Sequence, residues 1–152
     1  MLRPQMAWFL LVPLLSACQT QVRSPDSDTR APLPVPVGVS VLEIAPSVYQ
    51  PSEGQQRTDS EASACQAWTL GAAQAEAFFE LSTPLPEGAL NDFSWLPCTI
   101  SGRLAAEGVE WTFQINSAGT STWRAGGEAR LLGCADRACA PFVILMPDSV
   151  SD

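Results

Sequence analysis

The chain contains no histidine and no lysine, and Tyr49 is its one tyrosine. Histidine is the commonest general base near neutral pH and the commonest metal ligand, so its absence excludes Ser-His-Asp and Cys-His nucleophiles and histidine-zinc sites. An enzyme built from this chain would depend on carboxylates, thiols or Tyr49. The composition therefore favours a protein that is not an enzyme, and we expect neither a cofactor nor a metal site.

Positive charge is also scarce. The chain has 8 basic residues, all of them arginine, against 16 acidic residues, for a net charge of -8. Nucleic-acid binding needs a basic patch that neutralises phosphates, and no run of arginines supplies one. We therefore expect no nucleic-acid partner.

Long apolar runs are missing as well. The longest, Met6 to Leu15, has ten residues, whereas a membrane-spanning helix needs about 20. Arg3 precedes this run, and together they have the layout of a secretory signal peptide. We assign residues 1–17 to that peptide.

The end of the signal peptide is unusual. Conventional cleavage favours small residues at the first and third positions before the cut, but Leu15 would occupy the third. The residues Leu15-Ser16-Ala17-Cys18 instead resemble the lipobox of bacterial lipoproteins, and the resemblance covers the signal segment only. It implies that Cys18 is alkylated with diacylglycerol, that cleavage occurs before it, and that the new amino terminus is acylated. The alternative is an unmodified Cys18 near a conventional cut.

The residue after the cysteine bears on localisation. In lipoproteins of well-studied Gram-negative bacteria, Asp at that position signals retention in the inner membrane, and this chain has Gln19. By analogy, the resemblance implies the periplasmic face of the outer membrane. The expected partners are the lipid bilayer, reached through acylated Cys18, and an envelope protein.

Residues 18–64 are rich in Pro, Ser, Asp and Gln, which is typical of a flexible tether. Within them, "VGVSVLEI" alternates apolar and polar residues from Val37 to Val41. This segment is an edge strand, an epitope for a strand-accepting partner, or simply extended linker.

We predict a compact domain over residues 65–148, followed by a tail at 149–152. Gly71 and Gln74 mark the start of a helix of about three turns that ends before Pro84. Alternating segments predict two hairpins, one turning at "AEG" and one at Gly126-Gly127. The apolar "FVILM" segment, residues 142–146, predicts a buried strand near the middle of the sheet or under the helix.

These elements predict an α+β fold in which one helix packs on an antiparallel sheet of four to five strands. The alternative is a small β-barrel or sandwich with a peripheral helix. Four cysteines remain after Cys18 is set aside, and an exported chain is expected to oxidise them to two disulfides. We favour Cys65 with Cys98 and Cys134 with Cys139, the latter across a four-residue hairpin loop, over a redox-active pair or a zinc site.

Candidate binding residues are few. Trp111 falls in the inward register of its strand, whereas Trp95 and Trp123 lie near the ends of predicted elements and are the better candidates for a binding surface. Asp136 and Arg137 are expected at an exposed loop tip. The possible acid and base residues of a hydrolase lie in loops and turns: Glu87, Asp92, Glu107 and Glu110.

Three functions fit these observations. The first is a nonenzymatic outer-membrane lipoprotein that acts through protein contacts or envelope assembly. The second is a module that binds a small ligand or a cell-wall glycan. The third, a carboxylate-dependent hydrolase, requires two carboxyl groups about 5 to 9 Å apart across a cleft, and a short turn provides no evidence of one.

Overall fold

The structure of the protein, a computed structural model, describes residues 38–86 and 88–148. The signal peptide, Cys18, the tether up to residue 37, Glu87 and the tail at 149–152 lie outside these residues. What the sequence predicts for them stays a prediction.

Two tight hairpins form the centre of the sheet. Strands β4 (Cys98–Ala106) and β5 (Val109–Asn116) turn at Glu107-Gly108, with φ of 54° and 77°. Strands β6 (Thr120–Ala125) and β7 (Glu128–Gly133) turn at Gly126-Gly127, with φ of 52° and 86°. Two-residue turns with positive φ at both positions match the right-handed twist of the strands. Both predicted hairpins are therefore confirmed.

Three short strands complete a seven-stranded antiparallel sheet. Strands β1 (Ser40–Ile44) and β2 (Val48–Tyr49) both pair with β4, and β3 (Thr83–Pro84) pairs with β7. The order is β1-β4-β5-β6-β7-β3, with β2 beside β4. The antiparallel sheet is as predicted, but four to five strands was too low a number.

The folded region begins earlier than the sequence suggested. Strands β1 and β2 and helix α1 (Asp59–Ala67) belong to the fold, although the tether was predicted to extend to residue 64. Of the three interpretations of "VGVSVLEI", an edge strand over residues 40–44 is the one observed. Its pairing with β4 is long-range, so the composition of the segment did not reveal it.

Helix α1 begins at a capping interaction that the sequence contains. The Thr58 hydroxyl oxygen accepts a hydrogen bond from the Glu61 backbone N–H at 3.3 Å, and Asp59 and Glu61 favour the positive end of the helix dipole. Glu61 also accepts a bond from the Tyr49 hydroxyl at 3.1 Å, which ties α1 to β2. Among the described residues, no helix is both long and apolar enough to cross a bilayer.

Helix α2 (Ala72–Leu81) has the predicted position. The Gly71 N–H donates to the Gln74 side-chain oxygen at 2.9 Å, and Ala75, Phe78 and Phe79 are buried. The Phe79 ring meets the Phe113 ring edge to face, with centroids 5.1 Å apart. The apolar stripe of α2 therefore covers one face of the sheet, and complete burial of each Phe contributes roughly 1.5–3 kcal/mol.

Gly102 allows strand β1 to approach β4. A Cβ atom at this position would lie 2.1 Å from the Glu43 carbonyl oxygen and 2.6 Å from Cζ of Phe113. The carbonyl belongs to the backbone of β1 and cannot turn away as a side chain would. Only glycine fits between β1 and the aromatic core.

The "FVILM" prediction was wrong. The chain forms a 3-10 helix at Arg137–Phe142 and then runs irregularly, with the Ile144 and Leu145 N–H groups both donating to the Ser117 carbonyl oxygen at 2.8 and 3.1 Å. Pro141 lacks the N–H that a ladder position needs. The segment therefore packs against the edge of the core, and Ile144 and Leu145 stay about 40% exposed (43% and 40%).

Both disulfides expected from the cysteine count are present, in the favoured pairs Cys65–Cys98 and Cys134–Cys139. The first joins α1 to the beginning of β4. The second closes the turn that enters the 3-10 helix, where the Asp136 carboxylate accepts from the Ala138 N–H at 2.7 Å, so its loop is not the predicted hairpin loop.

Candidate functional site

The two faces of the sheet differ sharply. The face under α2 is apolar and buried. Its largest members are Ile100, Leu104, Trp111, Phe113, Ile115, Trp123 and Leu132. This face is fully used by the core, so a site for an outside partner must lie elsewhere.

The opposite face is polar and uncovered over its central strands, and we call it the open face. It consists of Ser101 and Arg103 from β4, Thr112 and Gln114 from β5, and Thr122 and Arg124 from β6. Four of these six residues are exposed and the two others are half-buried. Strict alternation along the three strands places them there, since successive side chains of a strand point to opposite faces.

Strand register arranges these residues in two rows. Gln114 stands opposite Ser101 on one side and Thr122 on the other. Thr112 stands between Arg103 and Arg124, and its hydroxyl donates to the Arg124 carbonyl oxygen at 3.2 Å. With about 4.8 Å between strands, each row spans roughly 10 Å.

A shallow hollow of about 300 Å³ lies in this face. It is lined by Ser101, Thr112, Gln114, Thr122 and Arg124, with Gly102 and Phe113. This volume is at the lower end of the range for small-ligand pockets. The hollow has hydroxyl, amide and guanidinium groups but no carboxylate.

One side of the open face is covered by the loop between β3 and β4. A Cβ atom at Gly133, which would project on this face beside Thr120, would lie 2.5 Å from Cζ of Phe93 and 2.8 Å from Cδ2 of Leu85. Phe93 and Leu85 therefore pack against β7. The cover gives the open face a raised border along that strand.

Trp95 lies in the same loop and is 51% exposed. Its neighbour Leu96 is held by the Asn116 side chain, which donates to the Leu96 carbonyl oxygen at 2.6 Å and accepts from the Leu96 N–H at 3.3 Å. Asn116 follows Gln114 by two residues on β5 and is on the same face. The loop that carries Trp95 is thus fixed at one end of the open face, where the sequence placed a candidate binding residue.

Trp123 does not belong to a binding surface. It is 0% exposed, and its ring lies 5.1 Å from the Phe79 ring and 6.0 Å from the Trp111 ring. The sequence suggested otherwise because it places Trp123 near the end of a predicted strand. The strand continues to Ala125, so Trp123 is an interior position that alternation directs under α2.

Two arginines of the sheet are each held by two glutamates. Arg103 donates to Glu43 at 2.9 Å and to Glu110 at 2.6 Å. These hydrogen bonds, first to Glu43 and then to Glu110, raise the pKa of Arg103 above its usual value. The positive charge of Arg103 is thereby engaged by both carboxylates.

Arg130 is held similarly on the other face. Partial burial lowers its pKa, but hydrogen bonds to Glu128 and Glu107, each at 3.1 Å, outweigh the burial, so the pKa of Arg130 is raised. The guanidinium also lies 4.4 Å from the centroid of the Trp111 ring. Arg130, near the beginning of β7, therefore covers the Trp111 ring at the edge of the core.

Arg124 differs from these two arginines. It takes part in none of the ion pairs found among residues 38–86 and 88–148, and its side chain lines the hollow. No sequence motif marks Arg124 as a binding residue. Alternation with Trp123 would have placed Arg124 outward, but its lack of a carboxylate partner depends on the tertiary fold.

Of the carboxylates that a hydrolase could use, the structure describes Asp92, Glu107 and Glu110, and the last two are bound to different arginines. Glu107 binds Arg130 and Glu110 binds Arg103, and these two arginines lie on opposite faces of the sheet. Asp92 ends a short 3-10 helix in the loop before β4. In the part of the chain that the structure describes, no group of three His, Cys, Asp or Glu side chains is placed to hold a metal ion.

Comparison of the chain with protein-family models, with curated proteins and with solved structures gives no match.

Proposed function

We propose that this chain is a lipid-anchored, nonenzymatic protein of the bacterial envelope that acts through contacts of its open face. The observation that carries the proposal is the contrast between the two faces of one sheet. Helix α2 packs over the apolar core on one face, whereas the other exposes two rows of hydrogen-bonding side chains around a hollow.

The anchor in this proposal rests on the residues Leu15-Ser16-Ala17-Cys18. Diacylglycerol on Cys18 with a further acyl chain on the amino terminus would supply the two or more chains that stable anchoring needs. Outer-membrane sorting and periplasmic orientation remain part of the proposal and follow from the Gln19 analogy. The segment between Cys18 and β1 would hold the open face away from the bilayer.

A module for a small ligand or a cell-wall glycan is the second candidate, and a specific observation favours it. The hollow is lined by neutral hydroxyl and amide groups and lies near the loop of the exposed Trp95. Interfaces between proteins usually have an apolar, aromatic centre, which this face lacks. The two candidates therefore share one surface and differ in the chemistry of the partner.

The proposal is tested by photocrosslinking in cells. A photoreactive amino acid at Gln114, in the middle of the open face, is expected to give adducts of higher mass that fractionate with the membrane. The Cys18→Ser variant is expected to move the chain from the membrane to the soluble fraction, because it removes the sulfur that carries the lipid.

The matched control places the same amino acid at Gln66. This residue is exposed on α1, which is joined through Cys65–Cys98 to the helix-covered side of the sheet. Adducts at both positions in equal yield, or at neither, would contradict a role for the open face. Unchanged membrane association of the Cys18→Ser variant would contradict the anchor.

A further inference from the structure

The open face has an unusual distribution of charge for a protein with net charge -8. Two arginines lie on this face. Arg103 is bound by Glu43 and Glu110, whereas Arg124 is bound by no carboxylate among the described residues. An unpaired guanidinium in an acidic protein attracts an outside anion. A carboxylate is a good match, because guanidinium can bind it through two parallel N–H···O bonds.

The groups around Arg124 are suited to sugar hydroxyls. Ser101 and Thr122 each offer a hydroxyl that donates and accepts, and the Gln114 amide does the same with separate atoms. The Thr112 hydroxyl, whose proton is donated to the Arg124 carbonyl oxygen, offers an acceptor. They stand in rows across three strands, so that donors and acceptors repeat along a line of roughly 10 Å. An extended polyhydroxylated chain can use such a row throughout its length.

The borders of the face favour the same class of partner. Asn116 fixes the loop of Trp95 at one end of the rows, and the exposed indole offers a flat apolar surface on which a sugar ring can stack. An acidic peptide would use Arg124 but would have no evident need for the neutral hydroxyl groups.

We propose that the open face binds a carboxylate-bearing glycan, with the carboxylate on Arg124 and the sugar hydroxyls on Ser101, Thr112, Gln114 and Thr122. The inference rests on the proposed function and names the chemistry of the partner. Uronic acids and muramic acid both supply a sugar ring with a carboxylate.

Calorimetric titration of the purified full chain in detergent tests this inference with tri-galacturonate. Its methyl ester has the same rings without the charge and is expected to bind at least about tenfold more weakly, because it loses the charge-assisted hydrogen bonds. The Arg124→Gln variant is expected to lose the same factor for tri-galacturonate and little for the ester.

Arg103→Gln is the matched control. It removes one positive charge from the same face, but that charge is already bound by two glutamates. Arg103 also stands at the opposite end of the row from Arg124, roughly 10 Å away, which exceeds the Debye length of about 8 Å at 0.15 M salt. We expect at most about a threefold change. Circular dichroism of each variant shows whether the fold is retained.

Equal affinity for the acid and the ester, or equal loss in both arginine variants, would overturn the inference. Binding of tri-glutamate as tightly as tri-galacturonate would also overturn it, in favour of an acidic peptide. None of these three results affects the crosslinking at Gln114, so failure of this inference is distinguishable from failure of the proposed function.

Discussion

Replacing Trp123 by alanine is expected to lower the free energy of unfolding by about 4 kcal/mol, because it removes one of the two largest side chains of the core. Trp123 is 0% exposed and packs edge to face on Phe79. Trp95→Ala, the same substitution at a 51% exposed position, is expected to change stability by less than about 0.5 kcal/mol. Urea denaturation of the two variants beside the original chain measures both values.

Trp123→Phe refines this comparison. The indole N–H of Trp123 has no hydrogen-bond partner among the described residues, so phenylalanine loses volume but no hydrogen bond. Its cost is expected to lie between those of the two alanine variants. A loss for Trp95→Ala as large as that for Trp123→Ala would contradict the assignment of Trp123 to the core and Trp95 to the surface.

Removing the Cys65–Cys98 disulfide by alanine substitution at both positions is expected to cost about 3 to 4 kcal/mol. The two cysteines are 33 residues apart. In the chain-entropy model, a bridge over a loop of this size lowers the conformational entropy of the unfolded chain, and this stabilises the folded state by about that free energy. The bridge also holds α1 against β4. For a small domain with a total stability of roughly 5 to 15 kcal/mol, this loss is large.

The Cys134–Cys139 bridge provides the matched comparison. It joins residues only 5 apart, so the same double alanine substitution is expected to cost less. Thermal unfolding of the two double variants measures the difference. A larger loss for the Cys134 and Cys139 variant would show that the short bridge, and not the one to α1, sustains the fold.

The elements that the sequence predicted correctly are those with local signals. Gly126-Gly127 and Glu107-Gly108 are two-residue turns between alternating segments, and Gly71 with Gln74 marks the start of α2. Each signal is contained within a few residues. Pairing of β4 with β5 and of β6 with β7 then requires only neighbouring strands to meet.

The elements that the sequence left open or placed in the tether depend on distant contacts. Strand β1 has an irregular register between Val41 and Glu43, which interrupts its alternation, and its partner β4 lies some 60 residues away. Thr58 and Glu61 do contain the capping-box signal of α1, but the polar composition around them is typical of a tether. Local composition therefore predicted that the folded domain starts at residue 65, whereas strand β1 already begins at Ser40.

The candidate site shows the same division between local signals and distant contacts. Alternation along β4 and β5 is a local signal, and it is consistent with the position of Ser101, Thr112 and Gln114 on the face away from the core. It did not reveal that Phe93 borders the face or that Arg124 lacks a carboxylate, because these facts require the loop before β4 and the glutamates around the sheet to be placed in space.

The central claim, that a partner occupies the open face in the envelope, is tested most directly by cysteine labelling in intact cells. Cells that carry the Gln114→Cys or the Gln66→Cys variant are treated with a maleimide that crosses the outer membrane. Each variant is also treated with the maleimide after purification. We predict that position 66 is labelled in both cases, whereas position 114 is protected in cells and labelled only after purification. Equal labelling of the two positions in cells would contradict the claim.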